Sequence, residues 1–144
     1  MNADLTTEQI LEPLITEVAD CLALDVPEVT PESTFFEDLG GESIDLLDIA
    51  FRMQRRLGIH TNMQEFRSAL EFDKEGKISV DTITRLQVET PAIDWAAHLS
   101  GKEGGDFFTI RLIAEMMLQS HLRALAAGKV EASTDTAQLV GNSP

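Results

Sequence analysis

One serine stands where the chain offers distinctive chemistry. Ser43 follows Gly40-Gly41-Glu42 and precedes Ile44-Asp45-Leu46-Leu47-Asp48. The two glycines allow backbone conformations that a side chain would forbid. A serine at the start of an amphipathic helix has a hydroxyl that can bond an unpaired N–H of the first turn. Asp38, Glu42, Asp45 and Asp48 lie close by in sequence, with no cation among them. No base adjoins the hydroxyl, so a hydrolase nucleophile is not indicated. On the residues alone, what remains is a helix cap.

Other chemistry is sparse. His60, His98 and His121 stand apart without metal-ligand spacing, and no metal site is expected. Glu71-Phe72-Asp73-Lys74-Glu75-Gly76-Lys77-Ile78 has the outline of a calcium loop. Its first position is Glu71 and its twelfth Thr82, where such a loop needs Asp and a bidentate Glu, so calcium binding is not expected. Cys21 is the single cysteine; it reads as core or half-buried, with no nearby positive charge to activate it.

The elements that position Ser43 follow from periodicity. Ile10, Leu11, Leu14, Ile15, Val18 and Leu22 recur at helical spacing and predict a helix over about 10–23, entered through a Thr6/Gln9 capping box. Pro13 lacks an N–H, so regular hydrogen bonding should begin near Leu11 or the helix should kink. Asp25 to Glu42 reads as a long loop with Pro27, Pro31, Gly40 and Gly41, pinned to the core by Phe35, Phe36 and Leu39. A second helix is expected over 43–57, stopping at Gly58, with Leu46, Ala50, Met53 and Leu57 inward. Ile44, Leu47 and Phe51 form a neighbouring stripe, either core packing or the lining of an apolar pocket.

The run Phe35-Phe36-Glu37-Asp38-Leu39-Gly40-Gly41-Glu42-Ser43-Ile44-Asp45 resembles the signature of acyl carrier proteins. It departs only in Glu42, where Asp is usual, and Ile44, where Leu is usual. Val29 to Phe35 and Leu57-Gly58-Ile59 are also similar to that family, so the likeness spans roughly residues 8 to 60. The resemblance implies that Ser43 carries a covalent 4'-phosphopantetheine derived from coenzyme A, flanked by Asp38, Gly41, Glu42 and Ile44. The arm's thiol would hold acyl groups as thioesters. It also implies a phosphopantetheinyl transferase and acyl-handling enzymes as partners, recognised through Glu42, Asp45, Asp48, Ile44, Leu47, Arg52 and Arg55. Arg52, Gln54, Arg55 and Arg56 stand where fatty-acid-synthase carriers tend to continue an acidic stripe.

Beyond residue 60 the likeness weakens. Short helices are expected over 63–71, with a cap at Asn62, and over 80–87, capped by Ser79 and carrying Ile83 and Leu86. Thr90-Pro91 would cap another over 91–100, with Ile93, Trp95, Ala96 and Leu99 packing inward. Gly101 to Gly105 reads as a link. Asp106 would cap a last helix over 107–126 that stands in for the family's final helix. Residues 66–105 would then be an insertion, and 128–144 a disordered tail. The run Gly76-Lys77-Ile78-Ser79 resembles specialised carriers of very-long-chain acyl groups.

The net charge of −14 is uneven: residues 1–50 hold 13 acids and no Lys or Arg. Such a field repels nucleic acid and anionic membranes and steers basic protein surfaces toward the first half. No apolar run spans a membrane, and no secretory pattern opens the chain, so a cytoplasmic location is expected. The expectation is an all-α, acyl-carrier-like four-helix bundle over 1–127 with an inserted helical segment. The resemblance implies a carrier, expected to be monomeric and not an enzyme, that serves fatty-acid or specialised lipid synthesis. The alternatives are an aminoacyl, peptidyl or polyketide carrier, or an unmodified interaction module.

Overall fold

The computed structural model describes residues 5–62, 64, 80–99 and 108–128. These residues form an all-α bundle: α1 (Thr7–Leu22), α2 (Ser43–Leu57), α3 (Val80–Glu89), α4 (Trp95–Leu99) and α5 (Ile110–Ala126), with a 3-10 turn at Val26–Glu28. Ile10, Leu14, Val18, Leu46, Ile49 and Met53 meet Ile110, Ile113, Met116 and Met117 in one core. α1 packs against both α2 and α5.

α1 begins earlier than the sequence suggests. The Thr6 N–H donates to Gln9 Oε1 at 2.9 Å, and the Gln9 N–H to Thr6 Oγ1 at 3.3 Å, so helix starts at Thr7. It also runs through Pro13 to Leu22. A proline inside a helix costs about 3 kcal/mol. Burial of Ile10, Leu11, Leu14, Val18 and Ala19 on both sides of it outweighs that.

The other helices shift at their ends. α3 extends through Glu89. Leu86 is buried and Ile83 packs against the core. Thr90-Pro91 opens no helix. The Thr90 hydroxyl donates to the Leu86 carbonyl and accepts from Trp95 Nε1 at 2.7 Å. Asp94 caps α4 instead, its Oδ1 accepting the Ala97 N–H at 3.1 Å. Ile93 and Trp95 are buried as expected, whereas Ala96 is exposed.

α5 starts at Ile110, three residues later than expected, and Thr109 caps it by accepting the Leu112 N–H at 3.1 Å. Phe108 is held out of the helix because its carbonyl accepts the Phe35 N–H at 2.9 Å. Of the expected helix over 63–71 only Gln64 is described; it is helical, and its N–H donates to Asn62 Oδ1 at 2.9 Å, as the expected Asn62 cap requires. The Ser79 and Asp106 caps, most of the calcium-like loop, the 101–105 link and residues 129–144 of the expected tail lie outside the described residues.

Candidate functional site

Ser43 is delivered by a corner built from the bottom up. The loop before α2 is stitched to the start of α5: Thr34 and Thr109 form an antiparallel bridge, and the Ile110 N–H donates to the Ser33 carbonyl at 3.0 Å. The Arg111 N–H donates to the Pro31 carbonyl at 2.9 Å. The Arg111 guanidinium pairs with Glu32 at 3.0 Å and Glu8 at 2.9 Å, joining loop, α1 and α5. Phe35 is buried, edge-on to Phe36, which packs against Phe108.

The turn then closes on Phe35. The Gly40 N–H donates to the Phe36 carbonyl and the Gly41 N–H to the Phe35 carbonyl at 2.9 Å. Gly40 has φ +71°, where a side chain is strained. Gly41 lies against the Phe35 ring, and a Cβ there would sit 2.4 Å from a ring carbon. Asp38 serves this loop directly. Its Oδ2 accepts the Thr34 N–H at 2.9 Å, and its own N–H donates to Thr34 Oγ1 at 3.0 Å.

The cap of α2 is Glu42, and Ser43 is the first helical residue. The Glu42 N–H donates to Asp45 Oδ2 at 2.9 Å. Asp45 thus closes the first turn back onto the cap residue, and the cap position expected at Ser43 falls one residue earlier, on Glu42. That hydroxyl is exposed, and no group among the described residues bonds it.

The face of α2 around Ser43 is apolar and open. Ile44 is 67% exposed, Leu47 43% and Phe51 56%, while Leu46, Ile49, Ala50 and Met53 face the core. The Ile44–Leu47–Phe51 stripe therefore lines no interior pocket. Spacings of three and four residues put it on the solvent side, one turn above another. Arg55 lies over the Phe51 ring at 5.1 Å. Arg52 is tied inward, to Asp20 at 2.5 Å, Asp48 at 3.2 Å and Glu17 at 3.5 Å. Arg56 also pairs with Glu17, at 2.6 Å.

Cys21 sits behind the acids, its Sγ 3.6 Å from Asp48 Oδ2. Burial, the hydrogen bond to Asp48 and the charges of Asp45 and Asp48 push its thiol up to about 11. It is an inert neighbour of the site, as thiols need the opposite environment to react.

At the far end of α2 the structure brings together two histidines that are 61 residues apart. The His60 N–H donates to His121 Nδ1 at 3.1 Å, and the rings stack with centroids 6.4 Å apart. Burial lowers the pKa of both, and His60 lowers that of His121 further. A cavity of about 760 Å3 opens beside them, lined by His60, Thr61, Asn62, Ser120 and Arg123. It is remote from Ser43. No group of three or more metal-ligating side chains occurs among the described residues.

Residues 12–71 match the family described as phosphopantetheine attachment site. Three curated relatives are similar to part of the chain. Acyl carrier protein AcpXL of Mesorhizobium japonicum is 34% identical over 64 residues, covering 44% of this chain and 66% of that protein. Acyl carrier protein 2 of Ralstonia nicotianae is 36% identical over 64 residues, covering 44% and 79%. Polyketide-8 synthase acyl carrier protein 2 of Streptomyces avermitilis is 40% identical over 68 residues, covering 47% and 78%. No solved structure matches the chain.

The chain belongs to the acyl carrier protein family, whose members bear a covalently attached 4'-phosphopantetheine. The corner fits such a group. It holds an exposed hydroxyl without a partner, at the start of a helix whose dipole favours a phosphate. The arm, when bound, supplies a thiol for thioester chemistry. As a carrier domain, the protein interacts with acyl-handling enzymes and a phosphopantetheinyl transferase. No helix among the described residues is long and apolar enough to cross a membrane.

Proposed function

We propose that Ser43 bears the 4'-phosphopantetheine, and that the chain presents acyl intermediates to enzymes of fatty-acid or specialised lipid synthesis, acting in the cytoplasm. The observation that carries this reading is the Ser43 hydroxyl, exposed and unbonded at a corner that Phe35, Gly41 and Glu42 make rigid. A serine that served only as a cap would spend its hydroxyl on the helix.

Partner enzymes meet Glu42, Asp45 and Asp48 beside the apolar Ile44 and Leu47. A basic surface with a hydrophobic recess complements that face. Arg55, stacked on Phe51 beyond the acids, calls for a partner carboxylate there. Arg52 acts from behind, by holding Asp48 and Asp20 in place.

Residues of about 66–105, which include α3 and α4, are in this reading an addition to a carrier domain over 1–127. The likeness to the Mesorhizobium and Ralstonia carriers supports an acyl cargo. The 40% identity to the Streptomyces protein supports a second reading, a polyketide carrier.

Proteolysis of the protein after treatment with a broad-specificity transferase and coenzyme A tests the site. The added mass should fall on the peptide that contains Ser43, and addition on any other peptide refutes the assignment. Offering the loaded protein long-chain acyl, malonyl and aminoacyl donors then separates the cargoes. Preferential long-chain loading is expected.

A further inference from the structure

A second surface lies on the other half of α1. Its first turns and the Val26–Glu28 segment enclose an open groove of about 440 Å3. Leu11 and Val29 form a buried floor, with Ile15 half-buried beside them. Val26, 49% exposed, and Pro27 stand on one lip, and Glu8 and Glu12 on the other.

The lip is held in place. The Asp25 N–H donates to Glu28 Oε2 at 3.2 Å, and the Val29 N–H to the Val26 carbonyl at 3.0 Å. Val26 is therefore kept in water by a bonded turn. Glu8 is paired with Arg111, whereas the exposed Glu12 carboxylate has no ion pair among the described residues.

We propose that this groove docks a basic amphipathic segment of another protein, with apolar side chains on Leu11, Ile15 and Val29 and a Lys or Arg at Glu12. Charge selects the occupant. Residues 1–50 hold 13 acids and no Lys or Arg, a field that draws a cationic segment. The stretches 1–4, 65–79, 100–107 and 129–144 of this chain each carry more acids than Lys and Arg, so none complements the groove. A second copy, at a net charge of −14, is repelled.

The site is separate from the Ser43 face, which meets α1 at its opposite end through Cys21, Asp45 and Asp48. A partner bound here holds the carrier to an assembly while Ser43 stays free. The inference does not depend on the role of Ser43.

The test uses full-length, nitrogen-15-labelled Ser43→Ala protein titrated with a synthetic helical peptide that has leucines on one face and lysines on the other. Saturable amide shifts should centre on Leu11, Ile15, Val26 and Val29 and weaken with salt. Glu12→Lys should weaken binding about fivefold, the upper range for exposed charge pairs. Val26→Ser should weaken it too, while Asp81→Lys, the same charge change on exposed α3, should not. Shifts centred on Ile44, Leu47 and Phe51 would overturn the proposal, as would equal losses from Glu12→Lys and Asp81→Lys. Equal binding of a peptide with glutamates in place of lysines overturns it as well. So do groove shifts without peptide, either on concentrating the protein (a second copy) or on removing residues 129–144 (the tail).

Discussion

Phe35 and Trp95 are both fully buried aromatics at the centre of a tight turn, and the polar groups around them are disposed in opposite ways. Around Phe35, backbone donors and acceptors satisfy one another, with Asp38 and Asp45 bonding the nearby Thr34 and Glu42 N–H groups. The Ser43 hydroxyl is left over, in solvent. Around Trp95, the polar groups close inward: Nε1 on Thr90, Thr90 on the Leu86 carbonyl, Gln87 Nε2 on the Ile93 carbonyl at 2.8 Å. His98 then ties α4 to Glu115 of α5 at 2.9 Å. The first turn presents a group; the second fastens a helical pair to the bundle. The difference teaches that presentation requires the local bonds to be complete without the presented side chain.

The comparison breaks or sharpens with four measurements. Trp95→Ala removes a fully buried indole and strands Thr90, and should cost about 3–5 kcal/mol in denaturant unfolding. Modification of Ser43 per folded molecule should stay unchanged. Gly41→Ala should cost less, about 1–3 kcal/mol, by forcing a methyl into Phe35. Unlike Trp95→Ala it should slow the transferase on Ser43; equal slowing by both would abolish the distinction between the two turns.

The next effect is on pH dependence at the far end of α2. His60 and His121 have folded-state pKa values below the ordinary 6.5, so the unfolded chain takes up protons first as the solution is acidified. Stability should be full above about pH 6.5 and fall below it, toward the depressed folded values. His121→Asn keeps an acceptor for the His60 N–H and should flatten the thermal-midpoint slope between pH 7 and 5.5. The smallest effect is expected from Arg111→Ala, roughly 0.5–1 kcal/mol, because both of its ion pairs are solvent-exposed.

Much of the first half was legible in sequence because its signals are local. The stripes of α1 and α2, the Thr6/Gln9 box, the Gly40-Gly41 turn and the stop at Gly58 depend on residues within a few positions of one another. What was not legible depends on distant partners. Phe108 is pulled from the last helix by Phe35, so Thr109 is the cap. Thr90 looked like a cap, but Trp95 claims its hydroxyl. The cap of α2 falls on Glu42, whose N–H Asp45 accepts, rather than on Ser43 as serine preference suggested. Arg52 is placed by the resemblance among the partner-recognition residues, and its pairs with Asp20 and Glu17 of α1 cannot be read from local sequence. Nothing in sequence links His60 to His121.

The central claim is that Ser43 carries the arm. The most direct measurement is intact mass before and after a broad-specificity phosphopantetheinyl transferase and coenzyme A, on the wild type and on Ser43→Ala. The account predicts one added phosphopantetheine on the wild type and none on the variant, with both proteins equally helical by circular dichroism. Addition to Ser43→Ala, or none to the wild type under conditions that load a known carrier, would contradict it.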